Sequence, residues 1–195
     1  YDTYDSEKLI SNIIKEKKLD KDTYKAKSIK NRISSLKNNF ITVENYFNNS
    51  ELIEVDKAAK RDLFGEIYQE YVRRCFKASV MDFDDLLLKT NELLNKSPET
   101  LLKYQQKFKY ILVDEYQDTN YSQYLIVKAL ADRHENLCVV GDDSQSIYSF
   151  RGANIDNILN FKKHYPNSIS YKLEQNYRST KNIVQAANLS LIHIW

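Results

Sequence analysis

The chain of 195 residues has little glycine, proline or cysteine, with three, two and two of each. The scarcity of Gly and Pro favours long helices and few tight turns. Cys75 and Cys138 have no metal-type spacing, so we expect two buried, reduced thiols in a cytoplasmic protein. No apolar run is long enough to cross a membrane and no signal peptide is visible, which argues against a membrane partner.

Charge is nearly balanced, at a formal net value of +2, but it is unevenly distributed. Residues 8–37 hold ten Lys or Arg against three Asp or Glu. Such a stretch is typical either of a nucleic-acid footprint or of a solvated helix face, and charge alone favours the solvated face. Apolar residues make up 42% of the chain, enough for a packed core.

Residues 1–107 carry only helical patterns. Apolar residues at helical spacing predict one long helix from about Val55 to Phe76. Asp82 is predicted to cap the next helix, and Asp84 and Asp85 would begin it, where the helix dipole favours negative charge. Ser97-Pro98 predicts a further helix with Pro at its first position.

From residue 108 the pattern changes to strands alternating with helices. The apolar runs YILVD (110–114) and LCVVGD (137–142) predict two strands, and ISYKL (169–173) predicts a weaker third. Helices are predicted between them, at Tyr121–Ala131 and Ile155–His164. This alternation predicts a parallel sheet with helices on both faces, in which ligands bind beyond the carboxyl ends of the strands.

Asp114 and Glu115 stand at such an end. Successive side chains diverge there, so one acid can meet a Mg²⁺ ion while the other orients or deprotonates an attacking water. Strand ends also carry acids for solubility alone, so four apolar residues followed by Asp-Glu are a moderate signal.

Four blocks make the signal specific, because they occur in the order and spacing of one family. DEYQDTN (114–120), VVGDDSQSIYSFRGA (139–153) and LEQNYRST (173–180) resemble motifs II, III and IV of the superfamily 1 helicases of the UvrD/Rep/PcrA type. MDFDDLL (81–87) resembles the segment that precedes motif II in that family.

The resemblance implies an α/β fold: part of a RecA-like P-loop NTPase domain with a parallel sheet, preceded by an all-helical inserted subdomain. Residues 1–80 would be that insertion and 81–172 the C-terminal part of the first RecA-like domain. Residues 173–188 would begin the second such domain. The last seven, LSLIHIW (189–195), break the preceding helical pattern, and we expect them to be a non-native tail.

The resemblance also implies roles in an ATP site. Asp114 would hold the Mg²⁺ of Mg-ATP, and Glu115 would act as general base. Gln145 would sense the γ-phosphate and couple it to DNA, a task that suits an amide because it both donates and accepts hydrogen bonds. Tyr177 would stack on adenine, and Arg178 would contact the γ-phosphate as an arginine finger.

Tyr148, Phe150 and Arg151 would face single-stranded DNA, where stacking on an aromatic ring contributes roughly 1–3 kcal/mol per base. The family usually has Trp where Phe150 stands, so weaker stacking is expected there. Taken singly, Tyr148 and Phe150 are explained better by core packing, Arg151 by a turn, and Arg178 by a surface ion pair. The whole string QSIYSFRGA favours the functional interpretation.

Three other acids are ambiguous. Asp118 and Asp142 could each contact the metal indirectly or cap a helix, and for Asp118 and Asp143 we favour capping or loop ordering.

No GxxxxGK[ST] motif occurs in the chain. In the family this segment precedes motif II, so we expect the chain to carry only half an ATP site. We also expect open sheet edges and exposed apolar surface. The isolated chain is expected to have no activity.

The resemblance implies that the whole protein is a 3′-to-5′ DNA helicase that uses ATP and Mg²⁺. Its expected partners are single-stranded DNA, single-strand/duplex junctions and repair or replication proteins. Two alternatives stay open: the helicase part of an AddA/RecB-like helicase-nuclease, and a non-catalytic DNA-binding module.

Overall fold

The computed structural model describes residues 1–142, 145 and 153–194, and for residues 188 and 190–194 it describes the backbone alone. The helices and strands follow one another along the chain as α1 Thr3–Glu16, α2 Ala26–Asn38, α3 Val43–Phe47, α4 Ser50–Ala58, α5 Phe64–Lys77, α6 Phe83–Lys96, α7 Pro98–Lys107, β1 Ile111–Val113, a 3-10 turn Tyr116–Asp118, α8 Tyr121–Ala131, β2 Leu137–Val139, α9 Asp156–Leu159, α10 Phe161–His164 and α11 Lys181–Ile194.

The main hydrophobic core lies among the first five helices. Amphipathic α1, α2 and α5 direct one apolar face inward, where α1 packs against both α2 and α5. The core side chains are those of Ile10, Ile13, Ile14, Tyr24, Ile29, Ile33, Leu36, Tyr46, Phe64, Ile67, Tyr68, Tyr71 and Cys75. Cys75 is buried, as predicted.

The scarcity of glycine has a visible consequence at the helix ends. Lys18, Phe40, Lys60 and Ser79 follow the ends of α1, α2, α4 and α5 with φ between 53° and 58°, the left-handed region that glycine normally occupies. After α4, the Lys60 N–H donates to the Lys57 carbonyl and the Arg61 N–H to the Asp56 carbonyl, at 2.8 Å each. The sharp helix endings are thus made by non-glycine residues whose backbone groups satisfy the terminal carbonyls.

The single long helix predicted between Val55 and Phe76 is wrong. The left-handed Lys60 interrupts it, so that α4 ends at Ala58 and α5 begins at Phe64. The physical reason is the buried carboxylate of Asp56, which has 1% of its side chain exposed and forms ion pairs with Arg32 and Arg61. The turn returns Arg61 to Asp56, a contact that helical periodicity cannot reveal.

Strands β1 and β2 pair in parallel, and Leu112 lies opposite Cys138. Their connection includes α8, which has the predicted bounds and packs against β1 and α6. One face of this strand pair is open to solvent in the described residues, because Leu112 is 77% exposed and Cys138 is exposed. The predicted burial of Cys138 is therefore wrong, whereas the expected exposure of apolar sheet surface is confirmed.

The chain divides into two compact units, residues 1–161 and 162–195. The predicted third strand, 169–173, pairs with no strand in the described residues, and Ile169, Tyr171 and Leu173 are at least 77% exposed. The helix predicted at Ile155–His164 occurs as α9 and α10, separated at Asn160. The fold is mostly helical with a small two-stranded parallel sheet, which agrees with the α/β class; the predicted domain boundaries stay predictions.

Candidate functional site

A cavity of about 420 Å³ lies at the carboxyl end of β1. Asp114, Glu115 and Asp118 supply its acidic groups, and α8 supplies part of the wall. The complete lining consists of Leu87, Val113, Asp114, Glu115, Asp118, Thr119, Gln123, Ile126 and Val127. The strand therefore delivers its acids to a concave edge, the location expected for a ligand in a parallel sheet.

The backbone turns sharply at the two predicted catalytic acids. Glu115 is left-handed, with φ 51° and ψ 42°, and its N–H donates to Asp114 Oδ1 at 2.9 Å. The next residue, Tyr116, donates its N–H to the Val140 carbonyl at 2.9 Å, so the turn is bonded to the residue that directly follows β2. Both acids are exposed, and their carboxylates are available to a ligand.

Gln117 was missed by the sequence interpretation. Its side chain is completely buried, and its Nε2 donates to Glu115 Oε2 at 2.8 Å. Its Oε1 accepts the Asp142 N–H at 3.1 Å, which links the end of β1 to the segment after β2. The only sequence signal was its place between acids, which does not distinguish a buried amide from an exposed one.

Gln145 joins the same group of hydrogen bonds. It is exposed, and its Nε2 donates to Asp142 Oδ2 at 2.7 Å while its N–H donates to the Asp142 carbonyl at 3.1 Å. Asp142 therefore holds Gln145 through both its backbone and its side chain. The structure thus brings three sequence-predicted acids and amides together: Glu115, Gln145 and Asp142.

Asp118 is half-buried, and its Oδ1 is buried and has no hydrogen-bond partner among the residues that the structure describes. It does not cap a helix, because the N-cap of α8 is Asn120, which forms a capping box with Gln123. Of the two roles favoured for Asp118, capping is therefore wrong and loop ordering stays a prediction. Asp143 lies outside the described residues.

The acids around the cavity fit a Mg²⁺ ion held mainly by its ligand. Mg²⁺ in nucleotide sites is bound by one or two carboxylates together with phosphates and waters, so a full cage of protein oxygens is not required. In the described residues no group of three or more His, Cys, Asp or Glu could hold a metal. Asp114 and Asp118, both lining the cavity, are carboxylates, the kind of donors that such an ion needs.

The remaining predicted site residues fall in two groups. Tyr177 and Arg178 belong to the second unit, where the Asn176 side-chain oxygen accepts the N–H groups of Arg178 and Ser179 at 2.9 Å each. Tyr177 is 86% exposed, and its hydroxyl donates to Gln175 at 3.1 Å. The residues predicted to face DNA lie outside the described residues: Tyr148, Phe150 and Arg151.

A second pair of carboxylates lies at the start of α6, as predicted, with Asp82 as N-cap and Asp85 completing the capping box. Their partner was not predicted, because Lys37 comes from the basic stretch for which a solvated face was favoured. Its side chain is completely buried, and Nζ lies 2.7 Å from Asp82 and 2.8 Å from Asp85. The Tyr71 hydroxyl donates to Asp82 at 2.7 Å.

The environments of these two carboxyls drive their pKa values apart. Burial alone would raise the pKa of Asp82, but the Lys37 ammonium and the hydrogen bonds from Lys37 and Tyr71 lower it below its usual value. Burial raises the pKa of Asp85 despite Lys37, and the neighbouring Asp82 charge adds to the increase. Lys37 therefore serves mainly to keep the Asp82 carboxylate charged in the interior.

Acids beyond the ends of adjacent parallel strands, with amides between them, define a ligand site of the type that open α/β sheets carry. The chain belongs to the UvrD/REP helicase family, since the model of the UvrD/REP helicase N-terminal domain matches residues 1–166.

Its relatives include three proteins named ATP-dependent DNA helicase PcrA. The one from Bacillus subtilis is 48% identical over 187 residues, which are 96% of this chain and 24% of the relative. Those from Leuconostoc citreum and Staphylococcus epidermidis are each 43% identical, over 98% of this chain and 25% and 26% of their own lengths. The chain therefore spans about a quarter of the length of these curated relatives. In its described part, none of the helices combines the length and apolarity that a membrane span needs.

Proposed function

We propose that this chain is part of an ATP-dependent DNA helicase, in which it supplies the acidic side of the ATP site and one wall of the single-stranded DNA path. The observation that carries the proposal is the position of Asp114 and Glu115, side by side at the end of β1 and lining one cavity. The PcrA names of the relatives favour a helicase over a helicase-nuclease. The ordered hydrogen bonds around Glu115 argue against a module that has lost catalysis.

Each side chain has a distinct task in this proposal. Asp114 holds the magnesium ion that, when bound with ATP, neutralises phosphate charge during transfer. Glu115 orients the attacking water and accepts its proton. Gln145 reports whether the γ-phosphate is present, Tyr177 stacks on adenine, and Arg178 stabilises charge on the γ-phosphate.

The DNA side of the proposal rests on QSIYSFRGA. Tyr148 and Phe150 offer aromatic faces on which bases of any sequence stack, and Arg151 offers a cation for the phosphate backbone. The 3′-to-5′ direction and the separation of duplex strands at junctions are taken from the family resemblance. Residues 1–80 act here as the helical insertion, with 81–172 and 173–188 as parts of the two RecA-like domains.

The test uses Bacillus subtilis PcrA in which the matching segment is replaced by that of this chain, because the isolated chain has no GxxxxGK[ST] motif. We expect the chimera to hydrolyse ATP faster when single-stranded DNA is added, and Glu115→Gln to lower that rate by about 10²–10⁴-fold, the usual contribution of a general base. The matched control is Glu99→Gln, an exposed carboxylate in the first turn of α7, which is expected to leave the rate unchanged.

Two results would contradict the proposal. One is a folded chimera that lacks DNA-stimulated hydrolysis, and the other is Glu115→Gln hydrolysing ATP as fast as the unsubstituted chimera. The isolated 195-residue chain is expected to have no DNA-stimulated ATPase activity. Hydrolysis by the isolated chain that disappears in Glu115→Gln would overturn that expectation.

A further inference from the structure

Gln117 is a polar side chain with no exposed surface, situated two residues beyond the left-handed Glu115. Burying an amide is unfavourable unless its donors and acceptor find partners. Apolar side chains of similar volume fill space without that requirement. The position therefore calls for an explanation in terms of what the amide contacts.

The amide connects two parts of the site. Its Nε2 donates to Glu115 Oε2 at 2.8 Å, and its Oε1 accepts the Asp142 N–H at 3.1 Å. Asp142 Oδ2 in turn accepts from Gln145 Nε2 at 2.7 Å. An unbroken path of hydrogen bonds thus runs from the Glu115 carboxylate to the side chain of Gln145.

The packing around this path leaves no room for a Cβ atom at Gly141. A Cβ built on Gly141 would lie 2.6 Å from Gln117 Oε1 and 2.7 Å from Ile158 Cδ1, distances that real Cβ atoms do not tolerate. The backbone at Gly141, after the end of β2, therefore approaches the Gln117 amide closely. A shift of Asp142 or Gly141 toward the amide therefore changes its position or its hydrogen bond, because Gln117 Oε1 contacts this part of the backbone.

The path also leaves one oxygen of the base available. Gln117 occupies Glu115 Oε2, and in the described part of the chain no hydrogen bond reaches Oε1. A carboxylate held at one oxygen has a fixed orientation for a water at the other. The geometry suits a general base, Glu115, whose carboxylate orientation is fixed by Gln117.

We propose that Gln117 is a positioning residue that sets the Glu115 carboxylate according to the position of Gln145. The proposal rests on the proposed function, since it assigns Glu115 the role of base and Gln145 that of sensor. When Gln145 moves, Asp142 moves with it, and Gln117 carries the displacement to Glu115 Oε2. Hydrolysis is then fast only when the Gln145 side of the site is in place.

The first experiment replaces the amide in the PcrA chimera by Gln117→Met, which keeps the side-chain length and removes both hydrogen bonds. We expect kcat for DNA-stimulated hydrolysis to fall about tenfold, the rate equivalent of one hydrogen bond to a charged group, with KM for ATP unchanged. Gln117→Asn serves as the second variant if Gln117→Met fails to fold. Its amide is too short to reach both partners, so it is also expected to lower kcat.

A double-mutant cycle separates positioning from support of the fold. If both residues act along one path, Gln117→Met combined with Gln145→Ala lowers kcat no further than the more severe single substitution. The control is Asn157→Ala, which removes a buried amide that donates to the Thr119 carbonyl and hydroxyl at 3.0 Å. In the part of the chain that the structure describes, this amide forms no hydrogen bond with Glu115 or Gln145. Its effect is expected to multiply with that of Gln145→Ala.

A measurement on the isolated chain tests the contact independently of catalysis. Gln117→Met is expected to speed hydrogen exchange at the Asp142 N–H, whereas Asn157→Ala is expected to leave that exchange rate unchanged. An inactive unsubstituted chimera contradicts the proposed function, and the contact is then judged by exchange alone. Unchanged kcat, multiplicative effects of Gln117→Met and Gln145→Ala, or unchanged Asp142 exchange would each overturn the positioning role.

Discussion

Two carboxylate pairs about 30 residues apart in this chain have opposite surroundings. Asp82 and Asp85 are buried and share the completely buried ammonium of Lys37. Asp114 and Glu115 are exposed, line a cavity and form no ion pair in the described residues. The first pair is committed to the fold, whereas the second keeps its charge available to a ligand.

The backbone shows the same contrast. Lys18, Phe40, Lys60 and Ser79 adopt left-handed conformations that end helices and satisfy terminal carbonyls. Glu115 adopts a similar conformation at the end of a strand, where no helix terminates. A left-handed non-glycine residue costs on the order of 1 kcal/mol or more. At the helix ends this strain accompanies the turns, whereas at Glu115 it lies in the candidate site.

The largest effect is expected from breaking the buried pair. Lys37→Met removes the cation and leaves two buried acids uncompensated, which typically costs about 3–5 kcal/mol. We expect urea unfolding of the 195-residue chain to report a loss of that size. Its control is Lys27→Met on the same helix α2, an exposed residue with no ion pair in the described residues, which should change stability by less than about 0.5 kcal/mol.

Equal stabilities of the two Lys variants would contradict the contrast between paired and available charge. If the stability lost in Lys37→Met is recovered when Asp82 and Asp85 are also replaced by apolar residues, the contrast between the two carboxylate pairs becomes sharper. Replacement of a whole buried ionic group is often neutral, whereas removal of one partner is not.

A smaller effect is expected from relieving the strain at Glu115. Glu115→Ala and Glu115→Gly both remove the carboxylate, so their difference isolates the backbone conformation at φ 51°. The Gly variant is expected to be more stable than the Ala variant by about 1 kcal/mol in urea unfolding, since glycine adopts this region without steric cost. A more stable Ala variant would mean that the turn is unstrained.

The smallest effect is expected from pH, because solvent screens the groups concerned. Hydrogen bonds from Arg73 and Arg74 lower the pKa of Glu70 from 4.5 to about 2. A carboxyl whose pKa is lower in the folded state stabilises the fold above its unfolded pKa, and that stabilisation is lost as pH falls from 4.5 to about 2. Glu70→Gln is therefore expected to flatten the unfolding free energy over this interval, and parallel curves for the two proteins would contradict this.

Local signals predicted well the parts of the fold that they themselves determine. The caps at Asp82 and Ser97, the bounds of α8 and the two strands ending in acids follow from residues adjacent in sequence. The motif DEYQDTN also indicated the family that the comparison with known proteins established.

Contacts between distant residues could not be predicted in this way. The break after α4 depends on Asp56 meeting Arg32, and the burial of Lys37 depends on acids 45 and more positions away. Cys138 is exposed because one face of the strand pair is open, which no apolar pattern within the strand reveals. Gln117 likewise acquires its role from Asp142, 25 residues further along.

The most direct test of the account compares Asp114→Asn with Asp82→Asn in two assays. For Asp114→Asn we expect stability of the chain within about 0.5 kcal/mol of the unsubstituted protein, together with loss of DNA-stimulated ATPase activity in the chimera. For Asp82→Asn we expect a clear loss of stability in the chain, because Lys37 loses a charged partner in the interior. Asp114→Asn that unfolds the chain, or that leaves hydrolysis unchanged, would contradict the claim that the exposed pair is reserved for a ligand.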